Sequence, residues 1–163
     1  MIRVAVVTVS DSAVAGTRAD KSGPALVEKL QGLGWEVMST HLVPDEPAEI
    51  TALLLKLVST VQVIVTTGGT GLGPRDRTPE AVRSIAEREV PGFGEFMRAE
   101  GRKSTKFADL SRSAAFTLKA ALILSLPGSP KGAVDSLLAV AGLIPHAVDL
   151  LQGKTEHQAE PKV

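Results

Sequence analysis

Hydrophobic positions follow two patterns that alternate along the chain. Short runs rich in β-branched residues fall at residues 4–9 and 61–67, and a more alternating run spans residues 36–43. Apolar residues recur at helical spacing over residues 22–33 and in the segment that begins at Pro47. Continuous β-branched runs are typical of strands buried on both faces, and spacing of three to four residues is typical of helices with one buried face. The pattern therefore predicts strands that alternate with helices.

The C-terminal half is predicted to contain three helical regions and a hairpin. Thr78 is expected to cap a helix that has Pro79 as its first residue, and Gly142 and Pro145 are expected to interrupt the last helical region. The predicted elements are a helix from Pro79 to about Glu89, a helix over residues 91–103, strands over residues 113–117 and 121–126 around a turn at Leu118 and Lys119, and two helices after Pro130.

This alternation predicts an α/β fold with a mostly parallel sheet covered by helices on both faces, to which the hairpin adds one antiparallel edge strand. Right-handed crossovers place the carboxyl ends of the parallel strands at one edge of the sheet, where open sheets of this kind bind ligands. We expect residues 1–153 to form a single domain. Residues 154–163 are polar and show no periodicity, so we expect a loose tail there.

Composition narrows the classes of protein to which the chain can belong. It has 18 basic and 18 acidic residues, so no net charge attracts nucleic acid, and with only 3% aromatic residues few side chains could stack on bases. The absence of cysteine excludes disulfides, thiolate zinc sites and cysteine nucleophiles. No apolar run reaches the about 18 residues of a membrane helix, and the first residues lack the features of an export signal. We therefore expect a cytoplasmic protein without nucleic-acid or membrane partners.

The segment with the clearest chemistry follows the third predicted strand and reads TTGGTGLGPRDRTP, residues 66–79. Four glycines within six positions allow positive φ and a close approach of the backbone to a ligand. Successive amides in such a turn form an anion-binding concavity, and the following helix adds its positive dipole end. Arg75 and Arg77 supply permanent positive charge. The spacing matches neither a Walker loop nor a dinucleotide fingerprint, so it predicts a phosphate-binding loop of another type.

Two aspartates in predicted strand-end loops are candidates for metal binding. Asp76 lies in the glycine loop, and Asp45 follows the second strand in the sequence Val-Pro-Asp-Glu-Pro. Either carboxylate could hold Mg²⁺, which prefers one or two carboxylates together with phosphate oxygens. Asp76 could instead cap the following helix or pair with Arg75 or Arg77, and Asp45 could likewise be a helix cap. The residues alone leave both alternatives open.

Two further loops and one basic cluster complete the set of polar candidates. Ser10-Asp11-Ser12 follows the first strand and Pro127-Gly128-Ser129-Pro130 follows the last, so both loops are expected at the same edge of the sheet as the glycine loop. The basic cluster is either a solvated helix face or a patch that receives an anion. Its members are Arg98, Arg102, Lys103, Lys106 and Arg112.

Taken together, these segments resemble the MogA/MoaB family of molybdenum cofactor biosynthesis proteins, relatives of the G domains of gephyrin and of plant molybdopterin-binding proteins. The resemblance covers residues 3–153 and rests first on the glycine loop and the Pro-Gly-Ser-Pro turn. The other motifs that carry it are Val9-Ser10-Asp11, Asp20-Lys21-Ser22-Gly23-Pro24, Pro44-Asp45-Glu46, Pro91-Gly92-Phe93-Gly94-Glu95 and Leu110-Ser111-Arg112.

The resemblance implies a three-layer α/β/α fold and the MgATP-dependent adenylylation of molybdopterin, in which AMP joins the terminal phosphate of the pterin and pyrophosphate is released. It implies that Asp45 and Asp76 are catalytic and hold Mg²⁺. The residues expected to bind nucleotide or pterin are Ser10, Asp11, Thr67, Gly68, Gly69, Thr70, Gly71, Arg75, Ser111, Pro127, Gly128 and Ser129.

Two other functions remain open at this point. A non-catalytic protein that binds or carries molybdopterin would need the glycine loop but not the acidic residues for chemistry. A regulator that binds only a nucleotide would need no pterin. The resemblance also implies other molybdenum cofactor biosynthesis proteins as partners, and a homotrimer or a hexamer made of two trimers.

Overall fold

A single six-stranded sheet forms the centre of the molecule. The computed structural model describes residues 1–154. Its strands lie in the order β2-β1-β3-β6-β5-β4. They are β1 (Arg3–Val9), β2 (Glu36–Val43), β3 (Val63–Thr67), β4 (Arg88–Glu89), β5 (Ala114–Leu118) and β6 (Ala121–Leu126). Strands β2, β1, β3 and β6 pair in parallel, and β5 pairs antiparallel with both β6 and β4.

Helices connect the strands and cover both faces of the sheet. The described residues form seven α-helices and a short 3₁₀ helix at Lys106–Leu110. The α-helices are α1 (Asp11–Val14), α2 (Ser22–Gly32), α3 (Pro47–Leu57), α4 (Thr78–Ile85), α5 (Pro91–Gly101), α6 (Pro130–Val140) and α7 (Ile144–Leu151). Proline stands in the first turn of α3, α4, α5, α6 and α7, where its missing N–H leaves no helical bond unmade.

Alternate residues of the central strands enter two separate cores. Val4 and Val6 of β1 pack with α2, α5, α6 and α7 on one face of the sheet, whereas Ala5 and Val7 pack with α3 and α4 on the other. All four side chains are fully buried, as expected for a strand without a polar face. The predicted three-layer α/β/α fold with a mostly parallel sheet is therefore confirmed.

Two local predictions in the C-terminal half were wrong. The helix predicted to end near Glu89 ends at Ile85, and Arg88–Glu89 instead form the edge strand β4, paired with Phe116 and Thr117 of β5. The hairpin turn lies at Lys119 and Ala120, one residue later than predicted, because Leu118 still pairs with Ala121. Lys119 adopts the positive φ (52°) that this tight turn requires.

Two findings concern the limits of the domain. The predicted tail over residues 154–163 lies, except for Lys154, outside the described residues. Within residues 1–154 no single helix is long and apolar enough to cross a membrane; only α6 and α7 taken together reach that length and apolarity, and this pair is bent by 65°.

Candidate functional site

Loops from four strands meet at the carboxyl edge of the sheet around a polar cavity of about 420 Å³. The parallel register of β1, β3 and β6 ends each strand at the same level, so the residues that follow them converge there. Of the predicted ligand-binding and metal-binding residues, those lining this polar cavity are Ser10, Asp45, Thr67, Gly68, Gly69, Asp76, Gly128 and Ser129.

The glycine loop begins in a conformation that only glycine adopts without strain. Gly68 has φ of +103° and Gly69 has φ of +68°. A Cβ atom on Gly68 would collide with the Val9 carbonyl oxygen, and one on Gly69 would collide with Thr78 Oγ1. The backbone of the loop therefore passes directly against the end of β1 and the start of α4, which places Gly68 and Gly69 in the wall of the polar cavity.

The neighbouring loop after β6 is fastened to the same place. Thr67 Oγ1 donates to the Pro127 carbonyl oxygen (2.7 Å), and the Gly68 N–H donates to the Leu126 carbonyl oxygen (3.1 Å). Ser129 caps α6 by accepting from the Gly132 N–H (3.2 Å). The two glycine-containing loops are thus held as one rigid rim of the cavity.

Asp76 stabilises the glycine loop rather than the helix that follows it. The Gly73 N–H donates to Asp76 Oδ2 (2.8 Å), and a Cβ atom on either Gly71 or Gly73 would lie 2.8 Å from the same oxygen. The two glycines therefore leave the space that the carboxylate occupies. Within residues 1–154, Asp76 makes no ion pair, so the pairing with Arg75 or Arg77 that the sequence left open as an alternative does not occur.

Thr78 does not cap α4, contrary to the sequence-based prediction. The residue that precedes the helix is Arg77, and Thr78 is itself the first helical residue. Its side chain is fully buried, and Oγ1 has no hydrogen-bond partner among the described residues. Thr78 instead packs under Gly69, and its N–H donates to the Gly69 carbonyl oxygen (3.1 Å).

Asp45 and Asp11 hold the loops after β2 and β1 together. The Asp11 N–H donates to Asp45 Oδ2 (3.0 Å), and the Asp45 N–H donates to Asp11 Oδ1 (3.0 Å). Arg75 closes the arrangement from outside, with Nε on Asp11 Oδ2 (2.5 Å) and Nη2 on Glu46 Oε1 (2.7 Å). Arg75 therefore neutralises Asp11 and Glu46 instead of facing the cavity.

The two paired aspartates have opposite pKa shifts. Burial raises the pKa of Asp45, with further increases from the negative charges of Asp11 and Asp76, although the Asp11 N–H and the Arg75 charge lower it. The pKa of Asp11 is lowered, mainly by its hydrogen bond from Arg75 and then by the bond from the Asp45 N–H. Of the two, Asp45 is therefore the carboxylate whose negative charge the protein neutralises less well.

The donor set in the polar cavity fits a magnesium ion that is completed by phosphate oxygens. Asp45 and Asp76 each use Oδ2 for a backbone N–H, and among the described residues Oδ1 of each has no hydrogen-bond donor. The two carboxylates are close enough for one charge to raise the pKa of the other. Residues 1–154 contain no group of three or more His, Cys, Asp or Glu that could hold a metal, so the remaining ligands would have to come from substrate and water.

A second cavity of about 320 Å³ adjoins the first and is lined largely by apolar atoms. It lies between α5, the 3₁₀ helix and α6, and Ser129 lines both cavities. Among the predicted residues it also contains Ser111 and Pro127, while Met97 and Phe107 supply much of its apolar wall. Four predicted residues line neither cavity: Asp11, Thr70, Gly71 and Arg75.

The sequence-based prediction missed the part of the site that comes from the loop between α1 and α2. Asp20 accepts from Thr8 Oγ1 (2.7 Å) and from the Gly23 N–H (3.0 Å), and so fixes this loop against β1. Arg18 and Lys21 of the same loop line the polar cavity and form no ion pair with the residues that the structure describes. The Asp-Lys-Ser-Gly-Pro motif was the available signal, but its sequence alone did not indicate a contact with Thr8.

This arrangement defines a class of protein: a three-layer α/β/α protein with a polar, glycine-lined cavity at the carboxyl edge of its sheet. A family model described as "Probable molybdopterin binding domain" matches residues 5–146. The chain therefore belongs to the MogA/MoaB family of molybdenum cofactor biosynthesis proteins.

Three proteins illustrate how near these relatives are. The molybdopterin adenylyltransferase of Escherichia coli is 39% identical, with 93% of this chain and 86% of that protein aligned. The molybdenum cofactor biosynthesis bifunctional protein of Synechococcus elongatus is 39% identical over 91% of this chain, which spans only 47% of that longer protein. The crystal structure of the molybdopterin biosynthesis enzyme MoaB from Thermus thermophilus is 49% identical, covers 94% of this chain and 98% of its own, and has a TM-score of 0.88.

Proposed function

We propose that this chain is a molybdopterin adenylyltransferase, which joins the AMP part of MgATP to the terminal phosphate of molybdopterin and releases pyrophosphate. The observation that carries the proposal is the pair of adjoining cavities, one polar and bounded by Asp45 and Asp76, the other largely apolar, with Ser129 between them. The E. coli relative named molybdopterin adenylyltransferase supports the same reaction.

Each cavity suits one part of the two substrates. The polar cavity is lined by the glycine loop at Gly68 and Gly69, by the N-terminal end of α6 and by the cations Arg18 and Lys21, a setting that suits a triphosphate. The apolar cavity, with Phe107 as a side wall, suits a flat pterin ring, and the hydrogen-bonded Ser111 and Ser113 hydroxyls add a polar spot to its lining. The terminal phosphate of the pterin would then reach the nucleotide near Ser129.

Asp45 and Asp76 would hold the magnesium ion through the oxygen that each leaves without a hydrogen bond. When bound, Mg²⁺ neutralises charge on the triphosphate and orients it. In the reaction, a phosphate oxygen of molybdopterin attacks the α-phosphorus of ATP, and the bond from this phosphorus to the pyrophosphate oxygen breaks. Both reactants are anionic, so the protein contributes position and positive charge rather than a strong base.

A non-catalytic molybdopterin carrier is the second candidate. A carrier would use the same apolar cavity. It would not need Asp45 and Asp76, whose carboxylates line the adjoining polar cavity. A carrier should bind molybdopterin fully without nucleotide and form no adenylylated product. A regulator that responds to ATP but not to molybdopterin would show the opposite binding preference.

We further propose a cytoplasmic homotrimer, or a hexamer of two trimers, that works with other proteins of molybdenum cofactor biosynthesis. Exposed apolar side chains such as Met38 and Leu42 on the edge strand β2 support an association of subunits. Light scattering at micromolar concentration measures the mass directly, and a monomer would overturn the proposed assembly.

The decisive experiment incubates the purified protein with molybdopterin, ATP and Mg²⁺ and follows adenylylated molybdopterin and pyrophosphate. Product that depends on both ATP and Mg²⁺ is expected. If molybdopterin binds but no product forms, the protein is a carrier and the proposed enzyme function is refuted.

The substitution Asp76→Asn sharpens this test. Asparagine can still accept the Gly73 N–H, so the loop should keep its shape while the metal loses a charged ligand. A loss of ~4 kcal/mol of transition-state stabilisation would lower turnover by about a thousandfold. Molybdopterin affinity and melting temperature should barely change.

The matched control is Asp109→Asn, which removes a carboxylate that lines neither of these two cavities and pairs with Arg102 on the surface. Near-normal turnover is expected for this variant. Near-normal turnover in Asp76→Asn would limit Asp76 to a structural part in the loop.

A further inference from the structure

Arg112 binds the glycine loop at three carbonyl oxygens. Its Nε donates to the Gly71 carbonyl oxygen (3.0 Å) and its Nη2 to the Asp76 carbonyl oxygen (2.7 Å). The Arg112 N–H donates to the Thr70 carbonyl oxygen (3.0 Å). One residue therefore fixes both the middle of the loop and the backbone of the carboxylate that faces the polar cavity.

An ion pair fixes the orientation of this guanidinium. The Nη1 atom of Arg112 contacts Glu80 in the first turn of α4. Burial tends to raise the pKa of Glu80, but its own backbone N–H and Arg112 outweigh burial, so the net pKa is lowered. Glu80 is thus ionised and holds Arg112 by a charge-assisted hydrogen bond, which leaves Nε and Nη2 for the two carbonyls.

The residues on either side of Arg112 belong to the other cavity. Ser111 and Ser113 both line the apolar cavity, and their hydroxyls share a hydrogen bond of 2.8 Å. Arg112 therefore connects a segment that lines the apolar cavity to the loop that carries Asp76.

The other members of the basic cluster have different partners. Arg102 pairs with Asp109 and Lys103 pairs with Glu100, in both cases on the surface. Arg98 donates to the carbonyl oxygen of Ser113 (3.0 Å), outside the glycine loop. Only Arg112 of this cluster contacts the loop that carries Asp76, so the cluster is not one uniform solvated face.

We propose that Arg112 is a positioning residue that acts through Asp76. By binding the carbonyls of Gly71 and Asp76 together, it keeps the glycine loop in the conformation in which the Asp76 carboxylate faces the polar cavity. The inference rests on the proposed adenylyltransferase function, and it adds a residue to which no role in that reaction had been given. A planar guanidinium is required, since the single ammonium of a lysine cannot span both carbonyls and Glu80.

The test compares the wild type with Arg112→Lys and Arg112→Gln. Three quantities are measured: amide hydrogen exchange of residues 70–77, the affinity for Mn²⁺ in the presence of a non-hydrolysable ATP analogue, and kcat and KM for ATP. Two variants are used so that the result does not depend on the folding of either one. Circular dichroism and the exchange of the central strands establish that each variant is folded.

We expect faster exchange confined to residues 70–77, weaker Mn²⁺ binding, and a kcat lower by about 10²-fold because the metal ligand is misplaced. The KM for ATP should change far less than kcat, since Arg112 lines neither the polar nor the apolar cavity. The matched control is Arg102→Lys, which alters an arginine of the same cluster that lies outside the loop; its three measurements should equal those of the wild type.

Unchanged loop exchange and Mn²⁺ affinity in both variants would overturn the proposal. Faster exchange spread equally over β1 and β3 would also overturn it, because Arg112 would then support the whole fold rather than the loop. If the wild type itself forms no adenylylated product, the proposed enzyme function fails, while the exchange and Mn²⁺ measurements still decide the role of Arg112.

Discussion

At the scale of single residues, the site depends on a pair of aspartates whose pKa values move in opposite directions. The carboxylates of Asp45 and Asp11 each accept a hydrogen bond from the other's backbone N–H. Of the two, only Asp11 also accepts a hydrogen bond from the Arg75 side chain. The protein thus neutralises the negative charge of Asp45 less completely than that of Asp11, and a bound cation would neutralise the rest. A carboxylate of this kind destabilises the folded protein when the site is empty, and the same charge increases the affinity for a metal ion.

This leads to a prediction about stability and pH. The native pKa of Asp45 is raised above its ordinary value of 3.8, so the folded state binds a proton more tightly than the unfolded state. The stabilisation that comes from that proton is lost as the pH rises through the raised pKa. Asp45→Asn should therefore melt at a higher temperature than the wild type at pH 7, with the difference shrinking towards pH 4. Its adenylylation should fall sharply.

The companion variant Asp11→Asn is expected to change the melting temperature in the opposite direction. The native pKa of Asp11 is lowered, so its contribution to stability is present above the ordinary value and is lost as the pH falls through the lowered pKa. Asp11→Asn should therefore melt slightly lower than the wild type at pH 7, with a small effect because the pair with Arg75 is exposed. Calorimetry of both variants across the pH range checks the two signs, and a lower melting temperature for Asp45→Asn at pH 7 would contradict the assignment.

At the scale of elements, the start of the glycine loop is tied to the end of β1 by steric fit. Gly68→Ala should destabilise the protein, because a left-handed φ costs roughly 1–3 kcal/mol for a residue with a side chain and the new Cβ would also displace Val9. Urea unfolding measures the loss. The control is Gly142→Ala between α6 and α7, where nothing lies within 4 Å of a new Cβ and no loss is expected. Equal stability of both variants would contradict the fit.

The same scale shows what the sequence could predict. Buried runs and the glycine loop are local signals, so β1, β2, β3 and the position of the site followed from them. The edge strand β4 did not, since Arg88 and Glu89 have no apolar pattern and join the sheet by pairing with Phe116 and Thr117, which are distant in sequence. The contacts of Arg112 with the glycine loop and of Asp20 with Thr8 likewise could not be predicted. Each joins separate segments of the chain, and no local residue pattern marks either contact.

At the scale of the whole molecule, the two cavities predict that the binding of molybdopterin and the binding of ATP can be weakened separately. Phe107 lines the apolar cavity but is 63% exposed, so Phe107→Ala should leave folding intact while weakening molybdopterin binding. The stabilisation by ATP and Mg²⁺ should remain that of the wild type. Thermal shift with each ligand alone measures this, and Phe96→Ala, also exposed but lining neither of these two cavities, is the control. A loss of the ATP response in Phe107→Ala would show that the assignment of the cavities is wrong.

The strand order has a consequence for how the protein acquires its activity. The central pairing of β3 with β6 joins residues as far apart as Val63 and Leu122, and four elements (α1, α2, β2 and α3) separate β1 from its partner β3. Pairings of this kind have high contact order. The chain loses the entropy of closing a long loop before the contacts between the strands compensate for that loss. The rim of the polar cavity is built from the ends of these same strands, so no fragment that lacks β6 can contain it. During synthesis, binding competence would thus arrive late and all at once, when the second half of the chain docks on the first.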